Sequence, residues 1–392
     1  MRFHRRVTAS LLTPVLVFGG LAACSSDGSA GSSGTLVIGA DLDNSSVVDI
    51  AYARALQLRI DQVNASGQLG DRKLALKTQD NRSDPTSSLR NISTFGDDKS
   101  VVAIVAGDCD QCAVGAAKTI NDKQIPTIAL APSDQVANPI DQRRFLFKLG
   151  PNSADSTATL VAELGRAQAV KKVAIVYSDD MYGRGSEQAL AAEIAKTGSD
   201  KNPIKLQAAQ AIKPAATDIS QTIGTLINGT PDALIVLTGP DQAQLAATSA
   251  KSAGFTGRLY FDAAAASDQF IAPSAVAATD NAEMVFTQTL AIDDVIATTP
   301  AKAARKQWFR DYTSRYGSYS GVAAFAADAV DLIAAAVVRA GTDRDRIRDI
   351  LETSQIDGLS GPIRFTPDSH SGLMPQALTM LVARSGRWRL AS

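Results

Sequence analysis

From Leu36 onward, short apolar runs alternate with longer amphipathic stretches. Runs of four to eight apolar residues between turn signals read as strands, and stretches with apolar positions three or four apart read as helices. Leu36–Ala40 is the first predicted strand. Val48–Asn64 follows as a helix, with Val48, Ala51, Ala55, Leu58 and Val63 near helical spacing. Next come a strand at Leu74–Lys77 and a helix at Pro85–Phe95, with proline near its start. Val101–Ala106 is apolar throughout, as a parallel strand covered on both faces must be. A helix at Cys112–Lys123 and a strand at Thr127–Leu130 complete the first series.

After Gly150-Pro151-Asn152 the series restarts. Helices are predicted at Ser153–Ala167, Gly185–Lys196, Ile219–Asn228 and Gln242–Ala253. Strands alternate with them at Lys172–Tyr177, Ile204–Ala211, Ala233–Leu237 and Leu259–Phe261. Three helices then run from Ala301 to Thr353, and short strands at Ile363–Phe365, Ala377–Ala383 and Trp388–Leu390 close the chain. Repeated βαβ units predict an α/β protein with two doubly wound parallel-sheet lobes.

The N-terminal segment has a different character. Arg2, Arg5 and Arg6 precede the short apolar stretch Val7–Gly20, which is too short to span a bilayer. Leu21-Ala22-Ala23-Cys24 resembles a bacterial lipoprotein lipobox. The resemblance implies cleavage after residue 23 and a lipid on Cys24, whose two acyl chains would give a stable anchor. Residues 24–34 are rich in Ser and Gly and read as a flexible tether.

Composition narrows the function classes. The 392 residues carry 39 Lys and Arg against 40 Asp and Glu, and three of the arginines lie in the leader. The remainder is mildly acidic, which argues against nucleic acid. Of two histidines, His4 is in the leader, and His370 sits in the polar turn Pro367–Ser371, where a solvent-exposed loop histidine is expected. One histidine leaves little room for a histidine-rich metal site or a Ser-His-Asp triad. No metal and no cofactor is expected, nor is a Gly-x-x-x-x-Gly-Lys phosphate loop present. Cys109 and Cys112 form a C-x-x-C pair with two open readings. One is a structural disulfide in an exported protein. The other is a redox pair, which the neighbouring acids disfavour by raising thiol pKa values.

Several phrases resemble the type I periplasmic binding proteins of the branched-chain amino acid, or leucine-binding, kind. Ile60–Gly67, Gln79–Pro85 and Gln124–Ile128 are similar to that family's helix end, acidic turn and strand entry. Val173–Gly185, reading VAIVYSDDMYGRG, is the most specific, and Gly358–Phe365 resembles a phrase near the family's C-terminus. The resemblance spans essentially all of the chain from Thr35.

It implies a lobe of residues 35–150 plus 289–374, a second of 151–288 plus 375–392, and three hinge crossings near Gly150, Thr287–Thr289 and Met374–Gln376. Ligand would bind in the interlobe cleft, held by loops at the carboxyl ends of strands. Carried over by position, Asp110, Gln111, Ser133 and Asp134 would hold a ligand carboxylate and Tyr182 would form an aromatic wall. Gly239, Asp241 and Asp262 are further cleft candidates from the second lobe.

The implied function is an extracytoplasmic, monomeric solute-binding lipoprotein of an ABC importer, not an enzyme, with a permease and an ATPase as partners. A ligand sensor of the same fold is the alternative, and an exported thiol oxidoreductase using Cys109 and Cys112 is a third reading. The amino-acid clamp is incomplete. Asp108–Cys112 replaces a Ser-rich loop, and Ala263–Ala266 occupies the place of an acid that holds the ligand ammonium. Acids crowd the cleft loops instead: Asp41, Asp43, Asp108, Asp110, Asp134, Asp180, Asp241 and Asp262. Acids pointing inward favour a cationic or amine-bearing ligand.

Overall fold

The computed structural model describes residues 34–167, 169–199 and 202–391. The leader, Cys24 and the tether lie outside the described residues. The first sheet is formed by β1 (Thr35–Leu42), β2 (Lys73–Asp80), β3 (Val101–Ala106), β4 (Thr127–Ala129) and β5 (Leu146–Lys148), with α1 (Val47–Ser66), α2 (Pro85–Asp97) and α3 (Asp110–Asp122) between them. Its order is β2-β1-β3-β4-β5, and every pairing is parallel. All six residues of β3 are buried, since helices cover both sheet faces.

The second series contains α4 (Ser153–Arg166), β6 (Lys172–Ser178), α5 (Met181–Lys196), β7 (Lys205–Ile212), α6 (Ser220–Asn228) and β8 (Ala233–Leu237). It continues with α7 (Pro240–Ser252), β9 (Arg258–Phe261), α8 (Val276–Thr279) and β10 (Glu283–Thr287). The chain then returns to the first lobe as α9 (Pro300–Tyr316), α10 (Ala323–Ala340) and α11 (Arg344–Glu352). A small hairpin of β11 (Gln355–Asp357) and β12 (Pro362–Arg364) follows. Finally β13 (Leu378–Arg384) and β14 (Arg387–Leu390) join the second sheet, whose order is β14-β13-β10-β9-β8-β6-β7. The β10–β13 and β13–β14 pairings are antiparallel.

Helix α10 is almost entirely buried, which its Ala- and Val-rich sequence permits on every face. Its one buried acid, Asp328, accepts hydrogen bonds from Leu359 N at 2.6 Å, Ser360 N at 2.8 Å and Ser360 Oγ at 2.6 Å. Arg344 at the start of α11 donates to the carbonyls of Gly96, Asp98 and Val101, which ties α11 to the first lobe. No described helix is long and apolar enough to cross a membrane.

Three strands, β5, β10 and β11, were not evident in the pattern. β5 has three residues and follows two arginines; β10 lies where only a crossing is expected. Helix α5 also begins at Met181, four residues before its predicted start. Asp180 caps it by accepting from Gly183 N at 2.8 Å, and a Cβ on Gly183 would lie 2.1 Å from Ser178 O. The glycine here permits a close strand-to-helix turn, so it does not mark a loop.

His370 departs from expectation. It is 1% exposed and stacks on Phe147 with ring centroids 4.3 Å apart. Its Nδ1 faces the carbonyls of Arg143 at 3.1 Å and Leu146 at 3.0 Å, and its Nε2 faces Glu352 at 3.2 Å. The local polarity of the turn misleads because its backbone runs beside β5. Lys148 N donates to His370 O at 2.8 Å, and Gly372 N donates to Lys148 O at 2.9 Å.

Candidate functional site

The carboxyl ends of both sheets face one cleft. From the first lobe, Val48 and Tyr52 on α1, Asp108 after β3 and Pro132 after β4 line it. From the second, Tyr182 on α5 and Ala263, Ala264 and Ala266 after β9 close it, with Phe286, Val322 and Phe325 as the floor. The space left is about 40 Å³, room for roughly one water. A larger chamber of about 270 Å³ lies beside it, lined by Phe261, Phe270, Met284 and Trp388 and touched by Val47 of the first lobe.

The α3 entrance is where the first lobe concentrates charge. Cys109 caps α3, its Sγ accepting from Cys112 N at 3.1 Å, and the two cysteines are joined as a disulfide. Asp110 accepts from Ser133 N at 2.7 Å, which brings these two residues together. Burial pushes the Asp110 carboxyl up to about 8, despite that bond and the nearby Lys148. Gln111 is exposed on the outer side of the same turn. Behind the entrance, Asp49 accepts from Asp43 N at 2.6 Å and Asp108 N at 2.8 Å. A Cβ on Gly107 would lie 2.4 Å from the Asp49 carboxylate, which explains glycine there. Burial raises Asp49 and Asp108, and each is raised further by a neighbouring carboxylate.

Asp134 makes a contact between the lobes. Its carboxylate accepts from Ser153 N at 3.0 and 3.1 Å, which holds the first lobe to the start of α4 in the second. Beside it Lys148 is wholly buried, with Nζ donating to Gly150 O at 3.2 Å, Pro151 O at 2.7 Å and Asn152 Oδ1 at 3.1 Å. No sequence signal marked this lysine, which is one residue of a short, otherwise apolar strand.

In the second lobe the Tyr182 hydroxyl donates to Asp262 Oδ2, so the aromatic wall and the acid act as a pair. Asp262 is 2% exposed and its Oδ1 has no hydrogen-bond partner among the described residues. Burial pushes its carboxyl up to about 7. Gly239 caps α7, and Asp241 is exposed in the first turn of that helix, at the rim of the larger chamber rather than in the cleft.

The structure thus divides the eight acids. Asp41 accepts from Ser88 Oγ at 2.5 Å, Asn91 Nδ2 at 2.8 Å and Asn81 Nδ2 at 3.2 Å, and Asp43 from Ser45 and Ser83. Those two knit loops of the first lobe. Asp108 lines the cleft, and Asp108, Asp110 and Asp262 each lie within electrostatic reach of Asp180. Tyr52 and Asp49 were missed, because an inward-facing position in the first turns of a helix looks like ordinary core or cap.

A family model described as periplasmic binding protein matches residues 38–387, and the chain belongs to that family. Among solved structures, an extracellular ligand-binding receptor of Rhodopseudomonas palustris superposes with a TM-score of 0.80 at 19% identity, covering 91% of this chain and 99% of that one. The leucine-binding protein LivK of Thermotoga maritima gives 0.76 at 18%, covering 91% and 98%. An ABC transporter substrate-binding protein of Desulfitobacterium hafniense in complex with leucine gives 0.73 at 18%, covering 91% and 100%. At these identities the likeness is one of fold.

Proposed function

We propose that the protein is the solute-capturing subunit of an ABC importer, tethered outside the cytoplasm by a lipid on Cys24. It takes a small polar solute into the interlobe cleft and passes it to a membrane permease. The observation that carries this reading is the cleft itself, in which loops at the strand ends of two lobes face each other. Lobes of residues 35–150 plus 289–374 and 151–288 plus 375–392 would open and close as rigid bodies about the three crossings. Asp110, Ser133, Tyr182 and Asp262 are the proposed contacts, with Asp134 as an interlobe latch. The protein binds its solute without transforming it. The Cys109–Cys112 pair serves as a staple at the α3 entrance, since Asp108 and Asp110 on either side would oppose a thiolate.

The test is thermal unfolding of residues 35–392 against amino acids, amines, amides, aromatic acids and sugars. A ligand at 100 times its Kd adds about 2.7 kcal/mol of stability. One responding class supports the reading, and a flat panel opposes it. For the anchor, Cys24→Ser is expected to move the protein from the membrane to the soluble fraction.

A further inference from the structure

We infer that the cleft selects an organic cation without a carboxylate, such as a diamine or guanidino compound, over an amino acid. The inference rests on the solute-binding reading and narrows its ligand. Asp108 and Asp110 from one lobe and Asp262 from the other each lie within electrostatic reach of Asp180. Asp108 lines the cavity and its carboxylate accepts no hydrogen bond among the described residues. Independently, the buried Oδ1 of Asp262 is unpartnered, next to the cavity-lining Tyr182. An unsatisfied buried acceptor is costly, and an N–H donor from a ligand removes that cost.

What faces these acids excludes the alternatives. Lys148 is the nearby protein cation, and its N–H groups are taken by Gly150, Pro151 and Asn152, with Asp134 at 3.9 Å. It has nothing left for a ligand carboxylate. The N-terminus of α3 would attract an anion, but Asp108 and Asp110 offset its dipole. A ligand carboxylate there would meet two carboxyl groups instead of a cation. A metal ion fits no better, because no group of three potential ligands is close enough to hold one among the described residues. Negative charge spread over two lobes suits an extended cation with several N–H donors. The same arrangement couples occupancy to closure: burial between the empty lobes favours the protonated acids, and a cation between them stabilises their ionised form.

The test uses purified protein and compares 1,4-diaminobutane, leucine and magnesium chloride by thermal unfolding and calorimetry. Diaminobutane is expected to raise the midpoint, with leucine and magnesium well below it at equal concentration. Asp108→Asn and Asp262→Asn should each weaken diaminobutane by about tenfold or more. Asp108→Asn should also raise the midpoint of the ligand-free protein, a result that loss of folding cannot imitate. A leucine response with diaminobutane flat would overturn the inference and leave the solute-binding reading standing. Magnesium acting as well as the diamine overturns it too, as does undiminished diamine binding in both variants. If none of the three probes acts, the inference fails, and a response to neutral sugars or amides then decides whether solute binding survives.

Discussion

Asp328 and Asp262 are both buried carboxylates, each pushed up to about 7 by burial, yet their surroundings are opposite. Asp328 sits in the first lobe with three donors aimed at it. Asp262 sits at the cleft with one oxygen on Tyr182 and the other bare. Elevation of the pKa therefore does not separate a structural acid from a binding one. The inventory of donors does. An acid whose lone pairs are filled by its own chain is a brace, and one left short is waiting for something the chain does not supply.

The sharpest way to break this contrast is substitution at both sites. Asp328→Ala strands the Leu359 and Ser360 donors and is expected to cost about 4 kcal/mol, read as a lowered urea midpoint. Asp262→Asn keeps a partner for Tyr182 and removes a buried charge, so the ligand-free protein should hold or gain stability. Equal losses would erase the distinction. A pH series probes the same groups with smaller effect. Their folded-state pKa values are raised, so the native protein holds protons that the unfolded chain has released. Their stabilising contribution is full below the unfolded carboxylate range and is lost as pH rises through 7 to 8, where Asp262 and Asp110 titrate. Each group contributes at most about 1.4 kcal/mol per pH unit. From pH 6.5 to 8 these two groups are expected to cost the ligand-free protein about 3 kcal/mol. Over the same range diamine affinity should rise as the cleft acids ionise. Asp110→Asn with Asp262→Asn should reduce both trends, leaving the part of the stability slope that Asp328 and Asp49 carry.

Removing the staple with Cys109→Ser and Cys112→Ser should cost about 2 kcal/mol, as a very short closed loop implies. Denaturant titration of oxidised and reduced protein checks this. Asp41→Asn is the smallest change, about 1 kcal/mol, because an amide can keep part of the Ser88, Asn81 and Asn91 network. A larger loss would mean that the negative charge itself holds those loops.

Much of the fold was legible because parallel strands buried on both faces must be apolar without interruption. Val101–Ala106 and Ala233–Leu237 have the bounds their sequence predicts. The phrase around Asp180 and Gly183 placed the start of the second lobe's cleft wall. The division of the acids was not legible. Asp41 depends on Ser88, and Asp328 on Ser360, each through an element far along the chain. His370 and Lys148 were missed for the same reason: one reads as a surface turn and the other lies in a strand the pattern did not show, until β5 and the 370–372 segment are laid side by side.

The order of β13 and β14 in the second sheet has a consequence for biogenesis. Most of that sheet is made from residues 172–287, but two of its seven strands come from residues 378–390. The first lobe likewise waits for α9, α10 and α11, which are encoded after the second lobe's central strands. A chain emerging from the ribosome therefore completes the first lobe only after α11 has emerged and the second only after β14 has, and its late contacts are of long sequence separation. Loss of a short C-terminal segment would expose the edge of β10, an apolar strand, to whatever other unfinished chains lie nearby.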